Sequence, residues 1–204
     1  ADGRYEGGVM KCTVPANTLS AVVRFPFFDV SEGAWYFGDI VYAYNNGLFS
    51  GTGDHTFEPE TTMTRGMLVS VLWRLEGKPE AAASPFTDSG DSWYTKAVDW
   101  AAANGIVAGT SATTFEPNAT VTREQMAAIL FRYANFKKLD TSARADLTAF
   151  PDAGSVSAYA TDAMSWANAS GIIVGSNGKL VPQDGASRAQ VAAILHRFIE
   201  KCIF

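Results

Sequence analysis

Apolar residues recur with helical spacing in three segments of the chain. In each segment, four apolar side chains stand at positions i, i+3, i+4 and i+7, which places them on one face of a helix. The stripes are Leu68, Val71, Leu72 and Leu75; Met126, Ile129, Leu130 and Tyr133; and Val191, Ile194, Leu195 and Phe198. The pattern predicts three amphipathic helices whose apolar faces form the core.

The sequence that precedes each stripe also repeats. An aromatic residue and an aspartate open each repeat, followed by a second aromatic residue, a short helical stretch closed by glycine, an extended turn and an arginine. The recurring residues are Asp29, Asp88 and Asp152; Trp35, Trp93 and Tyr159; Gly47, Gly105 and Gly171; and Arg65, Arg123 and Arg188. The arginines lie 58 and 65 residues apart. The extra residues of the second interval fall in 135–148, which we interpret as a linker.

Each repeat is predicted to fold as helix, loop, helix, with the first helix stopped by its glycine in the left-handed conformation. A unit of roughly 50 residues buries too little surface to be stable alone, so the three should pack together. We therefore predict a mainly α fold of three tandem repeats at 26–76, 84–135 and 149–200, with a linker at 136–148. Residues 1–25 would be an N-terminal extension or the end of a preceding domain.

The start of each second helix carries an unusual charge. The expected N-caps are Thr64, Thr122 and Ser187. A glutamine completes a capping box in the second and third repeats, whereas Met67 stands there in the first. An arginine directly follows each cap, although the helix dipole disfavours a cation there. Three such arginines indicate a negative partner: either a bound carboxylate or phosphate, aided by the helix amides, or the recurring aspartates.

The recurring aromatic residues and glycines also allow two interpretations each. The aromatic side chains could be core residues, the commoner fate, or platforms on which a sugar stacks. The glycines could be helix stops alone, or could also let a ligand approach the backbone.

Composition excludes several classes of function. The 204 residues are 47% hydrophobic and 18% charged, which is typical of a folded chain, and the net charge of −5 argues against nucleic acid as a partner. No apolar run approaches the length of a membrane span, and the N-terminus lacks the apolar core of a signal peptide, so a secreted protein would be present here in a mature or trimmed form. His55 and His196 are too far apart in sequence to suggest a metal site, and no cofactor is expected. Cys12 and Cys202 could form one disulfide or remain free.

Taken together, the aromatic–x–aspartate opening, the glycine-rich stretch, the phenylalanine–x–proline turn and the threonine–arginine helix start resemble the S-layer homology domain. The resemblance extends over about 27–198, and three copies are usual in that family. It implies a pseudo-threefold, three-pronged assembly with a central three-helix bundle. Its grooves would bind a secondary cell-wall polysaccharide, often through a pyruvylated amino sugar, and so hold an exported protein at the cell wall or S-layer.

Carried over from the resemblance, the twelve recurring residues are the expected ligand-binding residues. Departures from the family pattern, such as Tyr159, Ser187 and the 180–182 turn, concentrate in the third repeat. We therefore expect unequal grooves, with Arg65 and Arg123 more important than Arg188.

Two other classes of function remain as alternatives. An enzyme is disfavoured because the acidic residues recur threefold and no catalytic serine or cysteine set is evident. A protein–protein module is the second, because the aromatic stretch 26–38 could form an exposed patch that self-associates. Attachment to modified peptidoglycan is a variant of wall binding that the sequence leaves open.

Overall fold

The computed structural model describes residues 3–6, 9–12 and 25–203 and is mainly helical. This part of the chain contains six α-helices, arranged as three consecutive pairs, as the repeats predicted. They are α1 (Phe37–Asn45), α2 (Arg65–Leu75), α3 (Thr95–Ala103), α4 (Arg123–Phe136), α5 (Thr161–Ala169) and α6 (Arg188–Phe198). The first helix of each pair is short, and the second begins at the recurring arginine.

Shorter elements accompany the helices. Two strands near the N-terminus, β1 (Gly3–Glu6) and β2 (Val9–Cys12), pair antiparallel with Gly3 opposite Cys12. Three 3₁₀ turns precede α5, and a π-helical turn follows α6. The 3₁₀ turns are Leu147–Ala149, Ala153–Ser155 and Ala158–Ala160, and the π-helical turn is Ile199–Ile203. Cys202 carries a free thiol, while the side chain of Cys12 lies outside the described part of the chain.

Local sequence signals set the helix boundaries as predicted. The Thr64 hydroxyl caps α2 by accepting the Met67 amide at 3.2 Å, without a reciprocal side-chain bond. Complete capping boxes start α4 and α6. The first helices end two residues before Gly47, Gly105 and Gly171, which adopt left-handed φ values of 67°, 67° and 66°. Each of these glycines is therefore a helix stop.

The three predicted apolar stripes form the core. Eleven of their side chains are buried, and Leu75, at the end of α2, is half-buried. Phe57 and Phe115 from the extended turns join the same cluster, as does Leu180 in the third repeat. The leucine thus fills the position that phenylalanine occupies in the other two repeats.

The repeats pack as a closed ring. Helix α2 packs on α3, α4 on α5, and α6 on α1, so each second helix contacts the first helix of the next repeat. Three main-chain hydrogen bonds complete a cycle around the start of the second helices. Met63 N donates to Ala186 O at 2.9 Å, Ala186 N to Val121 O at 3.1 Å, and Val121 N to Met63 O at 2.9 Å.

The second helices also meet at their far ends. The Tyr133 ring on α4 lies 5.7 Å from the Phe198 ring on α6, and its hydroxyl donates to Glu76, the C-cap of α2. Contacts at both ends make α2, α4 and α6 the central bundle of the ring. The first helices and turns surround it.

Candidate functional site

The recurring arginines join each repeat to the next. Arg65 is only 5% exposed; its Nε donates to Phe115 O at 2.8 Å and its Nη2 to Ala108 O at 3.1 Å. Its guanidinium also lies 4.5 Å from the centroid of the Phe115 ring. The equivalent bonds run from Arg123 Nε to Leu180 O at 2.9 Å and from Arg188 Nε to Phe57 O at 2.7 Å. Each arginine therefore has a structural role at an inter-repeat boundary.

The amides at the start of each second helix are occupied as well. In α2, Arg65 N donates to Ala119 O at 3.0 Å and Gly66 N donates to Pro117 O at 2.8 Å. The third amide is bound by the Thr64 cap. The same arrangement recurs in α4 and α6. These helix amides are therefore not available to an anion in the groove, because they already have partners.

The recurring aspartates fix the extended turns. Asp88 Oδ1 accepts the Phe115 amide at 2.8 Å and Oδ2 accepts the Glu116 amide at 2.6 Å. Glu116 has a left-handed φ of 58°, so the carboxylate stabilises a turn that its sequence does not favour. Asp29 and Asp152 make the same bonds in their repeats. The arginines and the aspartates each bond main-chain groups, so the alternative in which they pair with each other does not hold.

The recurring aromatic residues lie on the surface. Trp35 is 63% exposed, Trp93 is 59% exposed and Tyr159 is 55% exposed, so of the two interpretations the core position holds for none of them, and their role as ligand-binding residues stays a prediction. Each precedes its first helix by two residues, where the chain turns outward. Each ring borders a groove that also contains one of the buried arginines.

Three equivalent grooves surround the ring, and each takes residues from all three repeats. The Tyr159 groove, of about 430 Å³, combines Arg65 from the first repeat, residues 108–110 and Arg132 from the second, and Tyr159 from the third. The Trp93 groove, of about 380 Å³, combines Arg188, residues 50–52, Arg74 and Trp93. The Trp35 groove, of about 240 Å³, combines Arg123, residues 174–176, Arg197 and Trp35.

A second arginine in each groove escaped the sequence analysis. Arg74, Arg132 and Arg197 follow the buried arginines by nine residues and keep the same spacings of 58 and 65. That recurrence was a usable signal, but the three arginines lie in helices whose pattern the apolar stripes had already explained. All three side chains are half-buried at the groove wall.

The two arginines of a groove repel each other. Burial lowers the pKa of the Arg65 guanidinium, and the nearby charge of Arg132 lowers it further against the opposing effect of Glu116. The corresponding pairs, Arg123 with Arg197 and Arg188 with Arg74, show the same two effects. Since each groove contains two guanidinium groups, it offers the hydrogen-bond donors that a carboxylate or another small anionic group binds.

Hydrogen bonds hold the aromatic ring of the Tyr159 groove in place. Glu124 is 2% exposed and accepts the Tyr159 hydroxyl at 3.0 Å and the Ser157 hydroxyl at 2.7 Å. Burial alone would raise the pKa of Glu124, but hydrogen bonds from Ser157 and Tyr159 hold it below its ordinary value. Burial and the Glu124 carboxylate raise the pKa of Tyr159 to about 12, so the ring is held in place as a neutral phenol.

The packing of each groove wall requires a second glycine in every repeat. A Cβ on Gly109 would meet the main-chain oxygens of Ser111 and Thr114 and would lie 2.6 Å from the Phe86 ring. Gly51 is similarly enclosed, and Gly175 combines such contacts with a left-handed φ of 85°. These glycines line the grooves. The predicted Gly105 borders only a side cavity, described below.

The described residues meet the requirements of neither a three-ligand metal site nor a membrane-spanning helix. Within 25–203, where side chains are described, no three histidine, cysteine, aspartate or glutamate side chains gather as a metal site. His196 instead bonds Asp39 at 2.7 Å and stacks on the Tyr42 ring at 3.8 Å, at the contact between α6 and α1. The described helices also include none that could cross a bilayer by length and apolar character.

The chain matches the sequence model of a known domain family. The sequence model of the S-layer homology domain matches three segments of the chain, 26–66, 85–127 and 149–192. These segments include all three buried arginines and all three aspartates, but end before Arg74, Arg132 and Arg197.

Several characterised proteins contain a region similar to this chain. An endoglucanase of Bacillus sp. (strain KSM-635) is 31% identical over 95% of the chain and 21% of its own length. The surface-layer 125 kDa protein of Lysinibacillus sphaericus is 32% identical over 76% of the chain and 13% of its own length. S-layer protein EA1 of Bacillus anthracis is 27% identical over 92% of the chain and 22% of its own length. The chain thus spans about a fifth or less of these relatives.

Proposed function

The chain belongs to the S-layer homology domain family, and on that premise we propose that its grooves bind the acidic terminal sugar of a secondary cell-wall polysaccharide. The pyruvylated amino sugar of such a polymer is the ligand we favour. Surface-layer proteins and carbohydrate-degrading enzymes share this module as a small part of their length, which supports a role in attachment to the cell surface. We propose that the chain holds a larger exported protein at the wall, without a catalytic role of its own.

The pairing of two arginines beside an exposed aromatic ring carries the proposal. In the Tyr159 groove, Arg65 and Arg132 supply positive charge at one end and Tyr159 supplies a flat surface at its edge. A pyruvyl ketal places one carboxylate on a sugar ring whose other face is largely apolar. The carboxylate would lie between the guanidinium groups, and the apolar face would stack on the phenol.

Net charge does not oppose this binding. The chain carries a net charge of −5, but the paired arginines are local to the grooves. Since exposed charges farther away than about 8–10 Å are largely screened at physiological ionic strength, the charge near the ligand is decisive.

The best variant for testing the proposal is Arg132→Ala. Arg132 is half-buried at the groove wall, whereas Arg65 bonds two carbonyl groups at an inter-repeat boundary, so its loss would confound folding with binding. We predict that Arg132→Ala weakens binding by about tenfold, the effect of one charge-assisted hydrogen bond. Tyr159→Ala should weaken it as well. Lys96→Ala removes an exposed charge outside the grooves and should bind like wild type.

The assay is sedimentation of the protein with purified cell-wall sacculi, either native or stripped of secondary polymer. Binding that is lost on stripping and weakened by Arg132→Ala supports the proposal. Binding that survives stripping would move the ligand to peptidoglycan. Equal binding by Arg132→Ala and Lys96→Ala would contradict the proposed role of the groove, and concentration-dependent self-association without sacculi would favour the lattice alternative.

Unequal use of the grooves stays a prediction that the half-buried arginines can test. If the grooves of Arg65 and Arg123 dominate, Arg132→Ala and Arg197→Ala should weaken binding more than Arg74→Ala, which affects the Arg188 groove. A larger effect of Arg74→Ala would reverse the expected order.

A further inference from the structure

The Tyr159 groove continues past its aromatic ring into a second cavity. This side cavity, of about 360 Å³, shares Ala128, Arg132 and Tyr159 with the groove. Its own walls are formed by Asn104, Gly105, Phe131, Asn135, Phe136 and Asp162. Tyr159 therefore stands between two adjoining spaces, and a ligand longer than one sugar ring could contact it from both sides.

The chemistry of the side cavity differs from that of the groove. Two carboxamides face it, and each uses one Nδ2 hydrogen locally: Asn104 bonds Trp100 O at 2.8 Å and Asn135 bonds Phe131 O at 2.9 Å. Each retains a second hydrogen for a ligand. Phe136 is 37% exposed and offers an apolar surface. Carboxamides with an aromatic face are typical partners of the hydroxyl groups and apolar faces of a neutral sugar.

Charge selects against a second acidic sugar. Asp162 is an exposed carboxylate on the wall of the side cavity, and Arg132 is shared with the groove, where Arg65 adds to its charge. An anion would be attracted towards the two arginines and repelled by the aspartate, so it would favour the groove. A neutral residue is the better occupant of the side cavity.

The side cavity depends on residues that the other repeats lack. Asn135 corresponds to Gly77 and Glu200, and Phe136 corresponds to Lys78 and Lys201. The helix α4 that carries both also runs longer than α2 and α6. The residues that shape this side cavity thus come from sequence differences and not from the threefold repetition.

We propose that the side cavity is a second sugar subsite, which holds the neutral sugar adjoining the acidic terminal sugar of the same polymer. This inference rests on the proposed function, because the acidic sugar in the Tyr159 groove determines where its neighbour lies. The Tyr159 groove then recognises a disaccharide.

The test compares two synthetic probes by NMR titration: a pyruvylated N-acetylhexosamine as its methyl glycoside, and the same sugar linked to one neutral N-acetylhexosamine. Backbone amides of 108–110 report on the groove, and the side-chain amides of Asn104 and Asn135 report on the side cavity. Both probes should shift the first set, and only the disaccharide should shift the second. The disaccharide should bind this groove about three- to tenfold more tightly, the effect of one or two neutral hydrogen bonds.

A matched pair of variants isolates the subsite. The double variant Asn104→Ala/Asn135→Ala should lose the advantage of the disaccharide and keep its affinity for the monosaccharide. Asn46→Ala is the control, because Asn46 occupies the same helix-end position in the first repeat and bonds Tyr42 O at 2.9 Å, outside the side cavity. It should behave like wild type.

Two results would overturn the proposal in distinguishable ways. If the monosaccharide shifts 108–110 and the disaccharide binds no more tightly, the second subsite is refuted while the proposed function stands. If neither probe shifts 108–110, the acidic-sugar site fails and the subsite fails with it.

Discussion

Arg188 closes the ring of repeats, and its removal offers a direct test of how the fold is held together. It connects the third repeat to the first across 131 and 138 residues of sequence, through bonds to Phe57 O at 2.7 Å and Ser50 O at 2.9 Å. Its guanidinium also lies 4.4 Å from the centroid of the Phe57 ring. We predict that Arg188→Ala destabilises the whole protein, even without a ligand.

The expected magnitude follows from the groups left behind. Phe57 is fully buried, and leaving its carbonyl unpaired should cost about 1–3 kcal/mol, whereas water can replace the bond to the exposed Ser50. The cation–π contact contributes roughly 0.5–2 kcal/mol. Relief of the buried charge offsets part of the loss, because burial lowers the pKa of Arg188. We expect a net loss of about 3 kcal/mol, or roughly 6–12 °C in melting temperature at this chain length.

The measurement is thermal unfolding followed by circular dichroism, with Arg74→Ala as the control. Arg74 lies in the same groove but is half-buried and makes only a long contact of 3.4 Å to Leu48 O, so its loss should change the melting temperature little. Equal melting temperatures for Arg188→Ala and wild type would refute the structural role. The buried arginines would then be retained for a ligand alone.

Three further outcomes follow from the turns and grooves. Asp88→Asn should lower stability by about 1 kcal/mol at neutral pH. Since amide hydrogen bonds hold the pKa of Asp88 below its ordinary value despite partial desolvation, this stabilisation is present above that ordinary value and is lost as the pH falls through the folded-state pKa. Denaturant midpoints of wild type and variant should therefore begin to approach each other near pH 3.8 and meet only below the folded-state pKa. Gly109→Ala should cost roughly 2–3 kcal/mol by overpacking, while Gly154→Ala, with open space around its Cβ, should unfold nearly like wild type. Val181→Asn should raise the melting temperature by about 2–4 °C, because the β-branched valine is held at a left-handed φ of 44° that asparagine tolerates better. An unchanged or lower melting temperature would show that valine contributes compensating contacts.

The third repeat illustrates how far a departure from a motif can be absorbed. In sequence, the 180–182 turn departs from the family pattern and puts in doubt the grooves that use this repeat. The structure gives Val181 the same left-handed conformation as Glu58 and Glu116, and Asp152 makes the same amide bonds as its counterparts. The carboxylate and the backbone determine the turn, so the change from phenylalanine to Leu180 alters the filling of the core and leaves the path of the chain intact.

The sequence by itself determined the local features of the protein. Helical spacing identified the buried face of each second helix, hydroxyl caps fixed where those helices begin, and glycine fixed where the first helices end. These signals act within a few residues, because capping, helix stops and amphipathic periodicity depend on backbone groups one or two turns apart. Recurrence then showed that three such units exist and that their arginines and aspartates share a register.

Only the tertiary structure decided how the repeats combine. Arg65, Arg132 and Tyr159 come from three different repeats, and no local rule indicates that they line one groove. No local rule predicts the position of the exposed Tyr159 ring either, because its hydroxyl bonds Glu124, a buried glutamate 35 residues earlier. The physical reason is that buried hydrogen-bonding groups must find partners, and here each repeat supplies them to its neighbour, so the site forms when the ring closes.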